Sequence, residues 1–329
     1  MRTDLLRRST ILAGSLLLLV ALAGASVCVG AQAVAPAEVL KAFTDYTGSA
    51  EHIIVRDIRG PRTILAVCVG AALGTAGALV QTLTRNPLAE PGILGVTGGA
   101  GFAITVGAAL GLAGSQITQL LLAFAGSVIA ALVVHSVGRS SPLRLVLAGT
   151  ALSSLLAGIS LGLRLLMPTV FDEFRFWYIG SLAGREQSPF LIPLVLLLLA
   201  LVGAMAVTRP LNALALGEQV ASTLGAHILR TRLAVLVLIT VLAATATAVA
   251  GPIAFVGLIV PHLARRPAGG SIPWLMAYTM VLSPVLLLVS DILSRVLLPT
   301  GEVPVAVVTA FLGGPVLIWA VRRYGTVTL

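Results

Sequence analysis

The sequence predicts an all-α polytopic membrane protein, a single transmembrane domain over residues 1–329 with about ten spans. Three observations carry that prediction. Hydrophobic residues make up 58% of the chain. Charged residues make up only 10%, against roughly 25% in soluble domains. The mean hydropathy of +1.06 is concentrated in runs of membrane-spanning length, bounded by charge or by Gly and Pro. A soluble surface cannot be built from this composition, and disordered or collagen-like chains are excluded with it.

The first run, 10–30, follows Arg7-Arg8 and precedes Ala31-Gln32-Ala33. That pattern resembles a secretory signal with its cleavage site, but the run exceeds the roughly 7–15 residues of a signal core. We read it as an uncleaved first span. The remaining runs are 62–84, 92–112, 115–138, 142–166, 190–207, 232–250, 252–264, 273–297 and 304–321. The eighth is short: thirteen residues rise about 20 Å, less than the roughly 30 Å hydrocarbon core. It is expected as a helix buried among neighbours, where irregular backbone is tolerated. Connections 31–61 and 167–189 are too long to be simple turns. Segment 208–231 has apolar residues at near-helical spacing between glycines and suits one or two short helices on the membrane face.

Ten spans place both termini on one side. With that side cytoplasmic, inner segments hold thirteen basic residues (Arg2, Arg7, Arg8, Arg85, Arg139, Arg144, Arg209, Arg230, Arg232, Arg265, Arg266, Arg322 and Arg323) against Asp4, Glu90 and Glu218. The remaining charges, eight basic and nine acidic, fall outside or near outer helix ends. Most of the net charge of +9 therefore encodes topology.

Several chemistries are absent. Lys41 is the only lysine, and Ala42 follows it, so the chain has no P-loop. Cys28 and Cys68 lie in apolar runs and read as small buried hydrophobes. The four histidines, His52, His135, His227 and His262, are scattered, which suggests no metal site. Gly158-Ile159-Ser160-Leu161-Gly162 matches a nucleophile-elbow pattern but falls mid-span, where close packing through small residues is the better reading. Gly70 with Gly74, and Gly107 with Gly111, are read the same way. Ionisable groups within spans are few: Asp291 and Arg295, one turn apart, can pair, and Arg164 can snorkel. An ion-coupled secondary transporter is disfavoured on that ground.

The most specific pattern lies between Arg59 and Phe102. Arg59-x-Pro61-Arg62 opens the second span, and Gln81-x-x-x-Arg85-Asn86-Pro87-Leu88-Ala89-Glu90-Pro91 closes it ahead of Gly92-Ile93-Leu94-Gly95. Further along come Trp177-x-x-Gly180-Ser181-Leu182, Leu216-Gly217-Glu218 through Leu224-Gly225, and Gly251-Pro252 through Pro261-His262 and Arg265. Asp291-x-x-x-Arg295 and Val303-Pro304 through Gly314-Pro315 complete the series. In this order and over residues 10–323, the chain resembles the FecCD-type permeases. These are membrane subunits of type II ABC importers for ferric siderophores, haem and cobalamin. The motif around 80–95 is most similar to the ferric-enterobactin type. Departures are Gly60, the Gly98-Gly99 pair, and a short connection from Arg265 to Pro273.

The resemblance implies related halves (spans 2–5 and 7–10), a second permease subunit, identical or different, two ATPase subunits and an extracytoplasmic binding protein, all at a bacterial inner membrane. It implies no cofactor on this chain, with ATP and Mg held by the partner ATPase. Gly217, Glu218, Ala221, Leu224 and Gly225 are expected to couple to that ATPase. Arg56, Arg59 and Arg295 would dock the binding protein. Thr150, Ser153, Ser154 and Ser160 would line the pathway, with Ser140, Ser141 and Pro142 at its inner gate. Arg62, Gln81, Asn86, Pro87, Pro91, Gly251, Pro252, Pro261 and His262 carry the family pattern. The resemblance implies an iron(III)–siderophore complex as cargo, with haem or cobalamin as alternatives.

Overall fold

The computed structural model describes residues 2–138, 141–185, 191–215, 217–223, 225, 227–298 and 301–324. Among these the chain is helical, with a single isolated bridge between Leu298 and Gly301 in place of any sheet. The spans are α1 (Arg2–Cys28), α4 (Gly60–Thr84), α5 (Val96–Ala109), α6 (Gln116–Gly138), α7 (Pro142–Leu166), α9 (Leu191–Ala206), α12 (Ile228–Ala250), α13 (Val256–Ala268), α14 (Ile272–Val296) and α15 (Val305–Tyr324). All ten runs expected from sequence are helical. Among the described residues six helices are long and apolar enough to cross a bilayer alone, and α9 joins α10 (Thr208–Ala215) across a 49° bend.

The connections hold structure that hydropathy did not resolve. In the 31–61 connection, α2 (Pro36–Thr44), α3 (Ala50–Ile53) and a π-helical turn, Ile54–Arg59, lead into α4. Helix α8 (Pro168–Tyr178) follows α7 almost without a break, because Pro168 cannot continue the preceding helix but is tolerated in a first turn. Segment 208–231 forms α10 and α11 (Glu218–Thr223), as its spacing suggested.

Helix α4 is the axis of the bundle. Its most apolar window is 89% buried, and it packs against α9, α12, α13 and α14. Glycines permit these approaches. A Cβ on Gly70 would fall 2.8 Å from the Pro284 backbone, and one on Gly77 only 1.8 Å from the Gly257 carbonyl oxygen. Gly158 and Gly162 differ: neither has a neighbour within 4 Å. Among the described residues, the Gly158–Gly162 face expected to pack therefore has no partner, while Ser160 on the opposite side is buried. Helix α7 is only 17% buried over its apolar window, and Leu147, Thr150, Ser154, Gly158 and Leu161 lie exposed along one side.

Two spans are broken. The third run enters through a 3-10 turn, Pro91–Leu94, before α5 begins, with Gly95 between them at φ 75°. The eighth starts four residues later than expected, because Gly251–Ala254 are non-helical and α13 begins at Val256. Gly251 at φ 74° closes α12, and Phe255 at φ 71° opens α13. A positive φ at a phenylalanine is a strained conformation held by its surroundings. The two short helices therefore place irregular backbone inside the protein rather than against lipid.

Candidate functional site

Three regions carry the polar chemistry. The first joins four parts of the chain. Arg62, near the start of α4, pairs with Asp291 of α14 (Nη2–Oδ1 2.8 Å) and with Glu302 before α15 (Nη2–Oε2 2.8 Å). Arg295 pairs with the other oxygen of Asp291 at 3.0 Å, as the one-turn spacing suggested. Asp291 is completely buried. Its charge is matched by two guanidinium groups, the arrangement that buried carboxylates require.

Arg59 and Arg295 were expected on an outer docking surface. The structure corrects this: both are buried, at 6% and 4% exposure. Arg295 donates to the carbonyls of Ser26 (2.8 Å) and Val29 (3.0 Å) and to the Ser26 hydroxyl (2.7 Å). Arg59 donates to the carbonyls of Val27 (3.1 Å), Cys28 (2.8 Å) and Gln32. These are the carbonyls that the end of α1 leaves without helical partners. The two arginines cap α1 and tie it to α4 and α14. Arg56 alone of the three remains exposed, 5.0 Å over the Tyr46 ring.

The inner region centres on Gln81. Its amide donates to the carbonyls of Gly257 and Leu258 (both 3.2 Å), and its oxygen accepts from Arg265 Nη2 at 2.9 Å. A glutamine near the end of α4 thus satisfies carbonyls at the start of the broken span α13 and holds a buried arginine one helix length on. Asn86 forms an Asx turn by accepting from Leu88 N at 3.0 Å. Pro87 lies in the following loop, Pro91 opens the 3-10 turn, and Pro261 and His262 are buried within α13. Gly251 is packed against the Trp177 carbonyl and Pro252 against Gly180. The family-pattern residues are therefore mostly joints between elements.

The third region is the connection α10–α11. Arg85 Nη2 donates to the Leu214 carbonyl at 3.0 Å, and Asn212 Oδ1 accepts from Ile272 N at 3.2 Å. These bonds fasten the segment to the ends of α4 and α14. Gly217 (φ 118°) and Gly225 (φ 77°) flank α11, and Ala221 is buried. Leu224 and the side chain of Glu218 lie outside the described residues. Sequence reasoning missed Asn212 and Glu302 and gave Arg85 no partner, because nothing in local spacing marks partners that lie 60, 240 and 129 positions away.

Of the expected pathway residues, Thr150 and Ser154 face outward from α7 and Ser153 is half-buried. Ser160 is buried at 3% exposure, with its carbonyl accepting from Arg164 Nε at 3.0 Å, so it does not line an open face. Ser141 caps α7 by accepting from Arg144 N at 3.2 Å, and Pro142 starts that helix. Ser140 and the Pro142 side chain lie outside the described residues.

The model of the FecCD transport family matches residues 16–323. The chain belongs to the FecCD transport family. Among its relatives, the ferric enterobactin transport system permease protein FepD of Escherichia coli (strain K12) is 47% identical over 96% of each chain. The hemin transport system permease protein HmuU of Yersinia pestis is 35% identical over 84% of this chain and 85% of that one. A solved metal-chelate type ABC transporter in an inward-facing conformation superposes with a TM-score of 0.86 at 29% identity, covering 96% of this chain and 99% of the other. As a FecCD protein the chain is a multi-pass transport permease.

Proposed function

We propose that this chain is the permease subunit of an ATP-driven importer that admits an iron(III)–siderophore complex. The near full-length identity to a ferric enterobactin permease carries the reading. The exposed face of α7, with Thr150, Ser154 and Gly158, pairs with a second permease subunit, and the pathway runs between them. Ser140, Ser141 and Pro142 stand at its inner end. The weak polarity of that lining suits a conduit whose selectivity lies mainly in an extracytoplasmic binding protein.

Segment α10–α11 engages an ATPase subunit through Gly217, Glu218, Ala221, Leu224 and Gly225. Its bonds to α4 and α14 give a mechanical route from ATP-driven closure to the bundle. ATP and Mg are held by that ATPase, since the chain lacks a P-loop lysine. Arg56 contacts carboxylates on the binding protein, by charge-assisted pairing. The membrane is the bacterial inner membrane, with both termini cytoplasmic, in line with the arginine bias of the inner segments.

The test is uptake of labelled ferric siderophore into vesicles carrying the reconstituted assembly. Uptake should need ATP and stop when the ATPase carries a catalytic mutation. Uptake that survives a dead ATPase, or that collapses with ionophores alone, would refute the reading. Uptake of haem in place of siderophore would keep the importer and change the cargo.

A further inference from the structure

One carboxylate is left unused by the joints and the coupling segment. Glu90 follows α4 in sequence, yet its carboxylate accepts a hydrogen bond from the Phe255 backbone N–H, where the broken eighth span turns into α13. Asp291, the other carboxylate held deep in the bundle, has two guanidinium partners. Among the described residues Glu90 has none.

Glu90 borders a cavity of about 330 Å³. Its walls include Leu73, midway along α4, Thr97 in the first turn of α5, Thr247 in the last turn of α12, and the non-helical stretch Pro252–Ala254. Among the described residues no basic side chain lines it. A carboxylate inside a membrane bundle is costly unless its charge is matched. The helix ends around it do not complete the match. Each end carries about half a charge; the starts of α5 and α13 are positive and the end of α12 is negative, so about half a negative charge remains. The same walls are rich in oxygen. The last turn of α12 leaves carbonyls without helical partners, Pro252 brings no N–H, and the backbone of Pro252–Ala254 lies outside any helix. Unwound carbonyls, hydroxyls and a carboxylate are the ligands that hard cations take. No group of three His, Cys, Asp or Glu side chains gathers among the described residues, so the donor set does not suit a transition metal. One carboxylate balances a single positive charge.

We propose that this cavity binds one alkali-metal cation against Glu90, with Thr97, Thr247 and the carbonyls of Pro252–Ala254 as further oxygen ligands. At about 30 Å³ per water, there is room for the ion and part of its hydration shell. Glu90 keeps its bond to Phe255 and still has oxygen lone pairs for the ion, since an ionised carboxylate offers about four acceptor sites. The ion sits where the helical bonds of the broken spans stop, and it ties α5, α12 and α13 together there. The importer reading neither requires this site nor falls with it.

The experiment uses the purified full-length chain, exchanged into choline chloride, with radiolabelled sodium and rubidium as probes, rubidium standing in for potassium. At least one of them should bind saturably, at one ion per chain. Glu90→Gln should weaken that binding at least about tenfold, because the only full charge facing the ion is gone. Glu90→Asp keeps the charge and should bind better than Glu90→Gln. Replacing choline by the bound ion at equal ionic strength should raise the melting midpoint of the wild type, and that rise should vanish in Glu90→Gln. If Glu90→Gln does not fold, the double variant Thr97→Val with Thr247→Val decides, and it should also weaken binding. No saturable binding of either ion, unchanged affinity in Glu90→Gln, or stabilisation by choline equal to that by sodium and rubidium would overturn the site.

Discussion

Replacing Asp291 by Asn tests the outer ion cluster. Asp291 has no exposure, and Arg62 and Arg295 are 5% and 4% exposed, so solvent screening does not weaken the pairings. The amide keeps the shape and removes the charge between two guanidinium groups. Breaking a buried pair by removing one partner costs about 3–5 kcal/mol. Glu302 still faces Arg62 at 2.8 Å, which points to the lower end, about 3 kcal/mol. At an unfolding entropy of about 2.1 cal/mol/K per residue, each kcal/mol moves the midpoint of a 329-residue chain by about 1.4 °C, so it should fall by about 4 °C. Thermal scanning of the purified protein by size-exclusion fluorescence reads this directly. A second variant, Arg62→Met, and the double variant complete a cycle. The double should be less damaged than the sum of the singles, because removing both members leaves no unpaired charge between those two positions. A shift below about 1 °C for Asp291→Asn, or strict additivity, would show that the cluster does not hold the fold as argued.

Gly77→Ala should impair folding severely, since the new Cβ would meet the Gly257 carbonyl at 1.8 Å, whereas Gly158→Ala should leave the isolated chain's melting temperature unchanged; equal behaviour of the two would refute the packing argument. Gln81→Leu leaves Arg265 buried without its acceptor, so it should destabilise by about 1–3 kcal/mol, and adding Arg265→Met should recover much of that loss in the same melting assay. Arg85→Ala combined with Asn212→Ala should keep the complex assembled and ATP hydrolysis intact while lowering uptake per ATP; unchanged stoichiometry would exclude these bonds from coupling. On α2, the hydrogen bond from Lys41 at 2.7 Å holds the Glu38 carboxyl below its ordinary range, and Glu38 in turn raises Lys41. Stability from a depressed carboxyl is present above its unfolded pKa and lost as pH falls through the folded one. Stability from the raised ammonium is lost only as pH rises through its folded value. Protection factors of the α2 amides, corrected for the intrinsic pH dependence of exchange, should therefore stay flat around neutrality and fall in acid, and an onset near neutral pH would contradict the pairing.

Much of this protein was legible in its sequence because a bilayer imposes a simple code. Ten apolar runs became ten helices, since every backbone group in hydrocarbon must bond within its own segment. The thinness of the eighth run already announced a buried half-span. The Asp291–Arg295 pair followed from one-turn spacing. Site assignments were read less well. Arg59 and Arg295 look like outer surface charges when each is seen at a helix end, yet both cap α1 because the bare carbonyls there need donors. Ser160 looks equivalent to Ser154 by composition, and only helical phase within the bundle turns one inward and the other outward.

The chain by itself determined that it spans a membrane, how often, and that it carries no P-loop lysine, because composition, run length and a single lysine are properties of the sequence. Only the tertiary structure decided which polar groups are structural and which are free to work. Arg62 meets Asp291 across 229 positions, and Arg265 meets Gln81 across 184. Those meetings depend on where glycines let helices touch, and no local pattern in the sequence encodes a distance between segments so far apart.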